Sequence, residues 1–87
     1  MYYMAQFYLP GDVDLADLTT NACAAAEELT SGGFAARFRY AIHVRQDESC
    51  FAVYDAECAE SVAAAGALAG LTFDRIAEAV VADCRAP

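Results

Sequence analysis

The chain has no lysine, a single histidine and no apolar run near the ~20 residues that a bilayer span requires. Its cations are Arg37, Arg39, Arg45, Arg75 and Arg85, set against 13 acids for a formal charge of −8. Nucleic acid demands a basic footprint, so it is excluded as a partner. The start Met1-Tyr2-Tyr3-Met4 lacks a basic leader segment, and with no membrane span the expected location is cytoplasmic. Four cysteines (Cys23, Cys50, Cys58, Cys84) form no Cys-x-x-Cys pair, and reduced thiols are expected. P-loop, zinc-ligand, nucleophile-elbow and Rossmann glycine spacings are all missing.

What is present is apolar surface. Hydrophobic residues make up 59% of only 87 residues, although many of them are alanine. A domain this small buries roughly 60% of the surface its unfolded chain exposes, too little interior to hide them all. A homodimer burying a second apolar face resolves the surplus. Residues 1–87 read as one domain, with 83–87 as a flexible tail.

Tyr2 to Leu9 is an apolar run ended by Pro10-Gly11 and predicts a first strand covered on both faces. Asp14 is an N-cap candidate, and Leu15, Leu18, Ala22, Ala25, Ala26 and Leu29 recur at helical spacing until Ser31-Gly32-Gly33. The next segment alternates at the period of a strand. Phe34, Ala36, Phe38, Tyr40, Ile42 and Val44 share one face, with Arg37, Arg39, His43 and Arg45 on the other. Gln46 to Ser49 is a hairpin loop into a third strand, Cys50 to Asp55. A second helix follows, with Cys58, Val62, Ala65 and Ala69 inward and Gly70 as its stop. A fourth strand runs from Arg75 to about Ala82. The order β-α-β-β-α-β predicts an α+β, ferredoxin-like sandwich, whose open sheet face suits pairing into a dimeric α+β barrel.

On that reading Arg37, Arg39, His43 and Arg45 project together from the open face. Guanidinium groups in a cleft bind carboxylate, phosphate or phenolate, and an imidazole transfers a proton or ligates a metal. Solvated side chains paired with the many acids are the plainer alternative. Tyr40 and Tyr54 belong to a tyrosine set that suits a pocket for a flat organic ligand, or equally an ordinary core or interface.

Three short stretches carry a resemblance: Phe51-Ala52-Val53-Tyr54-Asp55-Ala56, Ala69-Gly70-Leu71 and Asp74-Arg75-Ile76. In this order they resemble a family of small bacterial proteins known through nickel-binding members. The resemblance spans about Tyr3 to Val80 and implies the same ferredoxin-like fold. It also implies nickel as a ligand, with His43 the one imidazole able to hold it. The chain departs from the family pattern at Ala65, where a histidine is typical. It departs again at Gln6-Phe7, where charged residues are typical, and at Cys58, where a capping serine is.

Two functions follow as expectations. One is a binding protein that holds a small molecule or a nickel-like ion on the open face or in the dimer cleft, through Arg37, Arg39, Tyr40, His43, Arg45 and Tyr54. The other is a cofactor-free cyclase, isomerase or oxygenase. There His43 acts as general acid or base and Arg37 and Arg39 stabilise an oxyanion.

Overall fold

The computed structural model describes residues 1–82 and Cys84. The chain forms β1 (Tyr2–Tyr8), α1 (Leu15–Ser31), β2 (Ala36–Val44), a 3-10 turn (Arg45–Asp47), β3 (Ser49–Ala56), α2 (Ala59–Leu68) and β4 (Arg75–Ala79). The strands make one antiparallel sheet in the order β2-β3-β1-β4. The architecture is therefore ferredoxin-like α+β, with both helices on one side of the sheet. The tail expected over 83–87 lies, apart from Cys84, outside the described residues.

Local chemistry sets the helix ends. The Asp14 carboxylate accepts the Ala16 N–H at 2.9 Å, a side-chain cap on one of the donors that the first turn leaves free. Both helices stop at a glycine with positive φ, Gly33 at 102° and Gly70 at 78°. There the N–H of the following residue, Phe34 or Leu71, returns to the Leu29 or Gly66 carbonyl. α1 packs on β2 and along α2, and α2 reaches over to β4. Asn21 ties the two helices by donating to the Ala69 carbonyl at 2.8 Å.

The core lies between the sheet and the helices. From β1 it takes Tyr3, Ala5 and Phe7, from β3 Cys50, Ala52, Tyr54 and Ala56, and from the helices Ala22, Ala26, Val62 and Ala65. A central row of alanines, Ala5, Ala52 and Ala41, lets small helix residues approach the sheet closely. Gly66 of α2 packs against the Phe73 ring, so near that a Cβ would overlap Cε2. Four free thiols are present, with Cys50 wholly buried. No described helix is long and apolar enough to cross a membrane.

Three expectations about the strands change. Within the single chain, β1 is covered on one face only, since Tyr2, Met4 and Gln6 are half-buried and Tyr8 is exposed. β4 ends at Ala79, and Val80 beyond it is 96% exposed. The alternation of β2 does not run through. Phe38 pairs with Tyr54 and Tyr40 with Val53, so Arg39 is an extra residue with no partner opposite. Such a bulge shifts every later side chain to the other face of the sheet.

Candidate functional site

The register across the sheet assembles the open face in rows. At one end Ala79, Tyr2, Asp55 and Arg37 lie side by side, followed by Ala77, Met4, Val53 and Tyr40. The next row is Arg75, Gln6, Phe51 and Ile42, and Tyr8, Ser49 and Val44 close the far end. The centre of the face is apolar. Tyr40, Ile42 and Val44 remain 43%, 54% and 37% exposed, while Val53 among them is buried. Large apolar side chains standing together on a surface mark an interaction site more often than an isolated one does.

The bulge rearranges the residues singled out from the sequence. Arg37 precedes it and stays on the open face, paired across from Asp55. Arg39 is the bulged residue, and it is exposed. Tyr40 is turned out onto the open face together with Ile42 and Val44, not in toward the helices. His43 goes the other way and lies on the helix side, across from buried Cys50. Arg45 has left the strand for the 3-10 turn. Tyr54 is fully buried on the helix side, between Phe38 and Phe73. The expected cluster of Arg37, Arg39, His43 and Arg45 on one face does not form, because one extra residue breaks the period.

His43 has a structural task where it lies. Its Nε2 is 3.1 Å from the Leu9 carbonyl, which can only accept, so Nε2 carries the proton in this contact. That bond satisfies the chain just past the end of β1, where the Leu9 N–H also donates to the Glu48 carbonyl at 2.9 Å. The other ring nitrogen, Nδ1, is buried with no hydrogen-bond partner among the described residues. An imidazole held in this way does not address a ligand on the open face.

Away from the open face, a groove of about 790 Å³ runs between the C-terminal half of α1 and the ends of β2 and β3. Ala26, Ala36, Phe38 and Ala56 give it apolar surface, and Cys23, Glu27, Thr30 and Glu57 line it with polar groups. Arg37 also borders it, the one residue of the expected set that does. Tyr54 stands behind Phe38. Burial pushes its phenol up to about 12, and a charge on nearby Cys23 adds to the shift. The Cys58 thiol sits at the start of α2, 3.4 Å from the Ser61 hydroxyl. Glu60 beside it is held below the usual carboxylate range by its own backbone N–H and by a hydrogen bond from Cys58.

Nickel requires several imidazole, carboxylate or thiolate donors converging on one point. Among the described residues no group of three or more His, Cys, Asp or Glu side chains could hold a metal ion. The single imidazole is engaged at Nε2 and buried at Nδ1. The described residues of one chain therefore do not fit a nickel centre.

One polar pair on the open face lies outside the residues that the sequence pattern singled out. Gln6 and Arg75 are cross-strand partners on the open face. The signal was available, since Arg75, Ala77 and Ala79 alternate with Ile76 and Glu78 along β4.

Compared with models of protein families and with curated proteins, the chain matches none. Among solved structures it is similar to SCO4226 from Streptomyces coelicolor A3(2), with a TM-score of 0.79. The match covers 95% of this chain and 100% of that one at 16% sequence identity. At that identity the likeness establishes the fold alone.

Proposed function

We propose that this chain is a non-enzymatic binding protein that pairs its open sheet face with that of a second copy and holds a small organic molecule in the cleft between them. The observation that supports this reading is the apolar array of Met4, Tyr40, Ile42, Phe51 and Val53 on the face away from the helices, two of whose members, Tyr40 and Ile42, the Arg39 bulge turns there and leaves exposed. Water against such a face is costly, at ~25 cal/mol for each Å² of apolar surface that a partner would cover. A cofactor-free enzyme is the weaker reading, because its acid–base group, His43, lies on the helix side and is spent on the Leu9 carbonyl.

The test is the solution mass of the wild type and of Ile42→Asp, by light scattering behind a sizing column at about 50 μM. The wild type is expected at twice the 9.3 kDa chain mass, and the variant at the single-chain mass. A carboxylate in the middle of a closed apolar interface costs several kcal/mol, enough to dissociate it. Circular dichroism should show the variant still folded, since Ile42 contributes nothing to the helix-side core. A monomeric wild type at that concentration, or a variant that stays dimeric, would remove the basis for this reading.

A further inference from the structure

We propose that the open face takes an apolar organic anion, a carboxylate or sulfonate on a flat hydrocarbon body, with its charge held by Arg75 and Gln6. This rests on the open-face reading above and adds the chemistry of the ligand. The chain carries 13 acids and five arginines, yet the paired strand positions of the open face hold Arg37, Arg75 and only one acid, Asp55. Asp55 lies across from Arg37 in the end row, 3.0 Å from the Met1 ammonium. The paired positions of the face thus carry two arginines against one acid on an otherwise acidic protein, which makes it the part of the sheet least repellent to an anion.

On this face Arg37 stands across from Asp55, whereas Arg75 and Gln6 face no acid across the strands. They stand opposite each other, and the rows on either side (Ala77, Met4, Val53, Tyr40 and Tyr8, Ser49, Val44) contain no carboxylate. Arg75 makes no ion pair with a described carboxylate. A guanidinium offers a planar fork of N–H groups and a carboxamide two more, a donor set that an anionic oxygen pair can accept from. Phe51 is the next residue across from Gln6, and Ile42 the one after. At a strand spacing of about 4.8 Å, a body roughly 10 Å long anchored at Gln6 would lie across the strands over both. Ala77 and Ala79 keep the β4 side of the face low, so that Arg75 can reach over it.

Two dyes separate the inference from the reading beneath it. Fluorescence titrations would use 8-anilinonaphthalene-1-sulfonate, an apolar anion, and Nile red, an uncharged apolar dye. Each would be run on the wild type, Arg75→Met and Arg75→Lys. The wild type is expected to bind both. Arg75→Met should weaken the sulfonate about tenfold, the size of one charge-assisted contact, and leave Nile red unchanged. Arg75→Lys should keep most of the sulfonate affinity. If Arg75→Met changes neither dye, or both equally, the anion inference is wrong while the apolar site stands. If the folded wild type binds neither dye, the ligand-binding reading itself falls and the inference with it.

Discussion

Replacing Tyr54 with phenylalanine should make this protein more stable, an unusual outcome for a change at the centre of a core. Tyr54 is 0% exposed, and its hydroxyl is buried with no hydrogen-bond partner among the described residues. Its ring is held edge-on to Phe38 at 5.4 Å and to Phe73 at 6.1 Å, contacts that phenylalanine would keep. An unpaired buried hydroxyl costs about 1–3 kcal/mol. Allowing for the small gap left behind, a gain of about 1 kcal/mol is expected, or about 4–8 °C in Tm for a domain of this length. Urea and thermal unfolding at pH 7, followed by circular dichroism, would measure it. Alkaline pH provides a second, independent reading. Burial raises the folded phenol to about 12 from the ordinary value of 10.0. The stabilisation linked to its proton is therefore intact below pH 10 and is lost as pH climbs through 12. Between those limits the wild type should lose about 1.4 kcal/mol per pH unit that Tyr54→Phe does not, so the advantage of the variant should widen. A variant destabilised by 1 kcal/mol or more at pH 7 (about the worth of one hydrogen bond), with no pH-dependent widening, would show that the hydroxyl has a partner.

Gly66→Ala should cost about 1–3 kcal/mol despite the better helix propensity of alanine, because the new methyl meets the Phe73 ring. Phe73 is itself braced by Phe7 at 5.6 Å and by Tyr54, so it has little room to yield. In a Phe73→Ala background the same change should cost nothing or stabilise; an equal cost in both backgrounds would refute the steric account. Nickel titrated calorimetrically into untagged protein at neutral pH should release no stoichiometric heat, since no three donors among the described residues of one chain come together. A tight site that disappears in His43→Ala would overturn that expectation.

The positions of the elements were legible because their signals are local. Asp14 caps α1 as its side-chain chemistry predicts, and Gly33 and Gly70 end the helices where only a residue without Cβ is comfortable. The inward stripe of α2, Val62, Ala65 and Ala69, is buried as its spacing requires. The candidate site was less legible. From Phe38 to Val44 apolar and polar residues alternate evenly and assign Phe38, Tyr40, Ile42 and Val44 to one face, but nothing in that pattern marks Arg39 as an extra residue that breaks the phase. When both faces of a strand can be covered, apolar residues are acceptable on each, and the pattern loses its power to fix orientation.

Composition and local pattern by themselves determined the fold class, the strand and helix order, the acidic character and the surplus of apolar surface. Only the tertiary structure decided which side chains share a face. Pairing with β3 skips Arg39, and that single unpaired residue sends Tyr40, Ile42 and Val44 to the open face and His43 to the helix side. It likewise took the register between β1 and β4 to bring Gln6 and Arg75 together from 69 positions apart. Helix caps and turns arise from neighbours along the chain, whereas a bulge and a cross-strand pair exist only once two distant segments have chosen their alignment.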